Sequence, residues 1–207
     1  MPYNIRPLHF HKVKQNHSYI FDSNIWLSVL SPDVYGKTNK AYIKLFEKVI
    51  KNDTSKIVLS SIQASEIFNR LLRDVFMKKH AEQKKIPKSN LYTPGYFKRK
   101  YRPTDHCKRA YETIVDDIQI YEDSIIHEND VFDDSDDWCT FLDQVSKGLD
   151  FNDFLFYEHA LKKQYSIVTE DGDFWLEGVE IITANKELIA KQNAYSLSQR
   201  EERPAAE

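Results

Sequence analysis

Short β-prone runs alternating with longer amphipathic stretches predict an α/β fold with three layers, α/β/α, around a central and mainly parallel sheet. Three observations carry this. "SYIF" is followed by a helical pattern at 40–50, "KIVLSS" by another at 62–79, and "NDFLFYEHALKKQ" leads into "YSIVT". The strand runs are apolar along their length, as strands covered on both faces are.

In chain order, Tyr19–Phe21 form a first strand ending at Asp22, and "KAYIKLFEKVI" repeats apolar residues at helical spacing through Tyr42 or Ile43, Phe46, and Val49 or Ile50. "KIVLSS" is a second strand. In the following helix Ile62, Phe68, Leu71, Leu72, Val75 and Phe76 share the apolar pattern. After an irregular middle, "DDWCTFLDQVSKGL" reads as a helix with Ser135 as N-cap and Gly148 near its end, and "NDFLFYEHALKKQ" as another. "YSIVT" and "VEIIT" are strands, and Asn185 caps a last helix reaching about residue 193. The expected organisation is a basic extension at 1–17, one domain over 18–195 with an inserted, largely helical or irregular segment at about 77–132, and a polar tail at 196–207.

The chain has 207 residues, 41% of them hydrophobic, which suffices for one core. Its net charge of −3 conceals a polarity: residues 70–109 hold 13 Lys or Arg against three acids, whereas 112–143 hold 12 acids and no Lys or Arg. No apolar run approaches the ~18 residues of a membrane helix, and "MPYNIRPLHFHKVK" lacks a signal-peptide core, so a cytoplasmic protein without membrane contact is expected. Cys107 and Cys139 have neither the number nor the spacing of a disulfide framework or zinc site. His9, His11 and His17 read as part of a basic N-terminus rather than as a metal cluster. G-x-G-x-x-G and G-x-S-x-G are absent, and "GKT" at 36–38 lacks the earlier P-loop glycine, Ser31 standing in its place.

"SIVTEDGDF" at 166–174 gathers carboxylates behind a strand. Asp-Gly between apolar runs also suits a hairpin. In an open α/β sheet, however, ligands bind beyond the carboxyl ends of strands, where acids distant in sequence converge. Asp22 and Asp171 follow strands, Asp153 begins the helix feeding the later strand, and Glu66 lies early in the helix after "IVLSS". Singly, each has a structural alternative: Asp22 as a turn cap, Glu66 in an ion pair with Arg70 at i+4, Asp150 and Asp153 as helix N-terminal acids. Together they would repel in one pocket, and a cation resolves that conflict.

In their order, "FDSNIWL", the Glu of "SSIQASEIF", the Asp of "DFLFYEHA" and "VTEDGDF" resemble the PIN-domain nucleases, over residues 18–74 and 148–183. The resemblance implies a PIN-like fold and a metal-dependent endoribonuclease similar to the toxins of bacterial toxin–antitoxin modules. It matches Asp22, Glu66, Asp153 and Asp171 to an acidic quartet holding one or two Mg²⁺ or Mn²⁺ ions, with Asn24 and Thr169 in support and Asp150 and Asp173 as further candidates. Products with 5′-phosphate and 3′-hydroxyl ends, an antitoxin partner and a homodimer also follow from it. A housekeeping PIN ribonuclease, a flap-type DNase and a catalytically silent RNA-binding scaffold are the alternatives.

Arg70 and Arg73 continue the helical stripe begun by Glu66. Beyond them "NLYTPGYFKRKYRP" mixes Lys98, Arg99, Lys100 and Arg102 with aromatics including Tyr96 and Tyr101, a combination suited to single-stranded RNA. The structural alternative is an insertion whose rings pack on the sheet and whose cations pair with the acidic segment.

Overall fold

A computed structural model of the chain describes residues 2–36, 40–128, 145 and 149–201. Six strands form one sheet: β1 (Asn4–Pro7), β2 (Ser18–Phe21), β3 (Lys56–Ser60), β4 (Ile125–Glu128), β5 (Ser166–Val168) and β6 (Glu180–Thr183). Their spatial order is β1-β6-β5-β2-β3-β4, and every pairing is parallel. Because β5 and β6 run parallel, the Asp171-Gly172 stretch is a crossover start and not a hairpin.

Alternation along the strands sorts the core into two halves. Tyr19, Phe21, Ile57, Leu59, Val168 and Ile182 face one layer of helices: α1 (Ser23–Leu30), α3 (Lys40–Ile50), α4 (Ser61–Arg70) and α7 (Asp105–Gln119). Ile20, Val58, Ile167 and Ile181 face the other, packing against Phe156 and Ala160 of α8 (Phe151–Lys163) and Leu188 of α9 (Lys186–Glu201). The three-layer arrangement expected from the sequence is therefore the one observed.

Helix starts are set by side chains that accept otherwise unpaired N–H groups. Asp22 caps α1, Ser60 caps α4, Thr104 caps α7 and Asp150 caps α8. Short helices α2 (Pro32–Tyr35) and α6 (Lys88–Leu91) fill connections, and α2 begins on Pro32, whose missing N–H is harmless there. Asn185 accepts the Glu187 N–H at 2.9 Å and so fills the capping role expected of it, but the helix runs on to Glu201, through part of the expected polar tail.

Three further expectations are revised. The stretch at 1–17 contributes β1, whose residues pair with β6 from Asn4 beside Glu180 to Pro7 beside Thr183. The stretch at about 77–132 contributes β4, the opposite edge of the sheet. The helix beginning at Ile62 is one rod from Ser61 to Gln83, but its centre, Leu71–Phe76, widens into a π-helical turn before α5 (Met77–Gln83) resumes. A second π turn occupies Phe97–Tyr101, where the Arg102 N–H reaches back five residues to the Phe97 carbonyl at 2.7 Å. The helix expected between Ser135 and Gly148 lies outside the described residues.

Candidate active site

The chain leaves β2 toward β3 and β4 on one side, while β5 leads toward β6 and β1 on the other. The strand order thus reverses between β2 and β5, and a crevice at the carboxyl ends of such a pair is where open α/β sheets bind ligands. Asp22 closes β2 and Asp171 stands three residues beyond the end of β5.

A chain of hydrogen bonds ties the two together. The Asp22 N–H donates to the Val168 carbonyl at 2.9 Å, extending the ladder by one rung. Its carboxylate, 9% exposed, accepts the Asn24 N–H at 2.9 Å on one oxygen and the Thr169 hydroxyl at 2.8 Å on the other. Thr169 Oγ1 accepts the Asp171 N–H at 2.9 Å, and Asp171 Oδ1 accepts the Asp173 N–H at 3.0 Å. Thr169 is fully buried, so its hydroxyl has a structural duty to both acids.

From the other side of the crevice, Glu66 accepts the Ser23 hydroxyl at 2.9 Å, and its second oxygen lies 4.0 Å from Arg70 Nη1. Arg70 donates to Asn24 Oδ1 at 2.8 Å and lies over the Tyr35 ring at 5.4 Å. The ion pair weighed from sequence spacing is therefore present, and it borders the acids. Asp153 enters from the first turn of α8, with its backbone N–H held by Asp150 Oδ1 at 2.9 Å.

Electrostatics show that these groups share one environment. Burial pushes the Asp153 carboxyl up to about 7, and the negative charges of Asp150, Asp22, Asp171 and Glu66 add to that, in this order. Asp22 is also raised, first by burial and then by Asp171 and Glu66, against the lowering by its bonds from Asn24 and Thr169. Four segments of the chain thus bring acids to one end of the sheet, where their charges act on Asp153 and Asp22. Among the described residues, no three His, Cys, Asp or Glu side chains stand close enough to enclose an ion.

The donor set nevertheless suits a hard cation. It is all oxygen, and Mg²⁺ commonly takes only one or two carboxylates, completing its shell with waters and substrate phosphate. A closed cage of three acids is not required by that chemistry. His11 and His17 serve other ends, beside the Tyr19 hydroxyl at 3.3 Å and the Ser166 hydroxyl at 2.7 Å.

The remaining candidates separate. Asp150 is exposed and caps α8, and Asp173 is exposed beside Asp171. Arg73 lies over the Phe97 ring at 4.4 Å, Lys98, Arg99, Lys100 and Arg102 are exposed, and Tyr96 is half-buried. Tyr101 is a correction: its ring is fully buried among the core residues, with its hydroxyl 3.0 Å from His106 Nδ1, so it offers no face to a base. Three contributors were not read as site residues from the sequence. Ser23 orients Glu66, buried Gln63 donates to the Phe21 carbonyl at 2.6 Å and fixes α4 against the end of β2, and Tyr42 donates to the Thr169 carbonyl at 3.0 Å. Only Ser23 had a signal, its position beside Asp22 in a capping sequence.

No protein-family model matches the chain, and no curated protein sequence does either. Among solved structures, the chain is similar to VapBC2 from Rickettsia felis, in a crystal structure bound to a DNA fragment from their promoter, at 15% identity and a TM-score of 0.44, over 80% of this chain and 98% of that one. It is also similar to PAE2754 from Pyrobaculum aerophilum, at 15% identity and a TM-score of 0.41, over 91% of this chain and 96% of that one. The fold assignment rests on the sheet order and the two core faces of this chain itself.

Proposed function

We propose that the protein is a Mg²⁺- or Mn²⁺-dependent endoribonuclease of the PIN type. The observation that carries the reading is the shared field of Asp22, Glu66, Asp153 and Asp171, delivered by four separate elements to the switch point of a parallel sheet. Burial and like charge at one place destabilise a fold unless function repays them, and a metal with a phosphodiester would use that charge. The resemblance of the acid-bearing motifs to PIN nucleases supports the same reading.

Asp22 and Asp171 would hold the cation from the two central strands, and Glu66 and Asp153 from the flanking helices. When bound, such a cation lowers the pKa of a coordinated water and offsets charge on the phosphate. The chain's own part is positional. Thr169 and the Asn24 N–H fix the Asp22 carboxylate, Ser23 fixes Glu66, and Arg70 at the border offers a guanidinium to the incoming phosphate once it leaves Asn24. By the resemblance to PIN nucleases, hydrolysis would leave 5′-phosphate and 3′-hydroxyl ends.

Mn²⁺-dependent cleavage of single-stranded RNA by the wild type, lost in Asp22→Asn and in Asp171→Asn, is the expected result. Equal cleavage by all three proteins would overturn the assignment of the site. A second reading, a silent RNA-binding scaffold, draws on Arg70, which already places a cation beside Glu66. RNA binding with no cleavage under any divalent metal would select it.

Within the nuclease reading, the toxin of a toxin–antitoxin module acting in the cytoplasm is preferred to a housekeeping ribonuclease. Growth arrest on expression, relieved by the product of a neighbouring gene, distinguishes them. An antitoxin partner and a homodimer belong to the same proposal, whereas a membrane role has no support, no helix among the described residues being long and apolar enough to cross one.

A further inference from the structure

Both π-helical turns, Leu71–Phe76 and Phe97–Tyr101, wall the same cavity of about 400 Å³. Such turns account for well under 1% of residues in globular proteins and gather at functional sites, so two of them facing one space call for a physical reason. Arg73 and Asp74 come from the first turn, Phe97 and Lys98 from the second, and the segment Tyr92–Tyr96 closes the rim. Met77 and Leu91 give the cavity an apolar floor, while Tyr92, 77% exposed, and Tyr96 bring aromatic rings to it.

The charges on this wall are unequal. Asp74 is already engaged, accepting the Tyr35 hydroxyl at 2.9 Å and Lys78 Nζ at 3.3 Å. Arg73 and Lys98 have no acidic partner among the described residues, and Arg73 lies over the Phe97 ring at 4.4 Å. On the far side of the Thr93–Tyr96 crest, a second cavity of about 590 Å³ adds Arg99 and Lys100. Gly95, at φ +82°, turns the chain at that crest. The cavity is linked to the acids by one helix: from Glu66 to Arg73 is seven residues, about 10 Å of rise.

We propose that this cavity binds one unstacked nucleotide of a single-stranded RNA, with the base against Tyr92, Tyr96 and the Met77–Leu91 floor and its phosphate on Arg73 and Lys98. The occupant follows from the mixture. An acidic peptide would satisfy the cations and leave the rings unused, whereas a nucleotide brings a π face and an anion together. A base held here fixes which phosphodiester, about 10 Å along the rod, meets the acids. The inference deepens the ribonuclease reading and rests on it for its consequence, though not for the binding itself.

The test uses the full chain in EDTA, which separates binding from cleavage, with fluorescein-labelled homopolymers of each base and an abasic oligomer of equal length. Wild type should bind every homopolymer more tightly than the abasic oligomer. Tyr92→Ala, at an exposed position, should weaken the homopolymers roughly tenfold and remove that advantage, leaving the abasic oligomer unaffected. Lys98→Ala should weaken all of them alike. Mn²⁺-dependent hydrolysis of bis(p-nitrophenyl) phosphate, too small to span the distance, should be unchanged in Tyr92→Ala. Binding of the abasic oligomer as tight as that of the homopolymers by the wild type, or unchanged affinity of Tyr92→Ala for every homopolymer, overturns the proposal. So does displacement by polyglutamate as effective as by RNA. Loss of the homopolymer advantage in Tyr92→Ala beside a wild type that hydrolyses nothing would sink the nuclease reading and leave the pocket standing; cleavage with an inert Tyr92 would do the reverse.

Discussion

Replacing Asp153 by Asn should stabilise the metal-free protein while removing activity. The Asp153 carboxyl sits half-buried, without a hydrogen bond of its own among the described residues, in the field of Asp150, Asp22, Asp171 and Glu66. Its pKa rises from 3.8 to about 7 in the folded state. The folded form therefore keeps a proton through a window in which the unfolded form has lost it, and stability falls as pH rises from about 4 to about 7. Above that window the loss is complete. A shift of about three units at ~1.36 kcal/mol each gives about 4 kcal/mol, and solvent screening at a half-exposed group reduces this to about 2 kcal/mol. For a chain of this size that is a rise in Tm of roughly 4–8 °C. Asn keeps the shape and the backbone bond to Asp150 but carries no charge. Thermal melts of wild type and Asp153→Asn in EDTA should show the variant higher at pH 8 and the two converging near pH 4. Added Mn²⁺ should raise the wild type and close the gap. A variant that melts at or below the wild type at pH 8, or a gain that persists undiminished at pH 4, would refute the electrostatic argument.

Two other substitutions probe the support of the acids. Ser23→Ala removes the hydroxyl that holds Glu66 at 2.9 Å and should lower metal affinity, read from the Mn²⁺ dependence of cleavage, by roughly 10–100-fold with little change in Tm. Tyr42→Phe removes the donor to the Thr169 carbonyl and the acceptor of the Ala184 N–H at 2.7 Å, which joins the ends of β5 and β6. It should cost about 1–3 kcal/mol in denaturant unfolding, and an unchanged midpoint would show that water replaces the hydroxyl there.

Much of the scaffold was legible because apolar runs such as Ile57–Leu59 and Ile181–Ile182 are unbroken, as strands buried on both faces are. The two edge strands were not. "NIRP" has four residues, an exposed Arg6 and a terminal Pro7, and "IIHE" stands inside an acidic run, so neither shows the period of a strand. Each becomes one through its neighbour's free ladder groups. Asp22, Glu66, Asp153 and Asp171 were expected together because strand ends converge whatever the intervening length, and in the structure the charges of the other three bear on Asp153. Ser23 and Tyr42 were not, because hydroxyls that orient a carboxylate from another element leave no periodic trace. Tyr101 misled for a related reason: an aromatic among cations reads as a stacking face, yet the π turn rotates it inward and sends Lys98, Arg99 and Lys100 outward.

The widened turn at Leu71–Phe76 also sets the phase of everything downstream in the rod. An α-helix advances about 100° per residue and the widened turn absorbs one surplus residue, so winding the same residues as a regular α-helix would turn α5 by about that angle relative to α4. Met77 and Ala81, both buried, would swing toward water, while Glu66 and Arg70 kept their aim at the crevice. The helix is thus a register device, in which one surplus residue aligns two faces that a uniform winding would set at odds. A single deletion inside the widened turn removes that surplus and keeps both faces in phase, so it should prove less damaging than a deletion within α4 or α5.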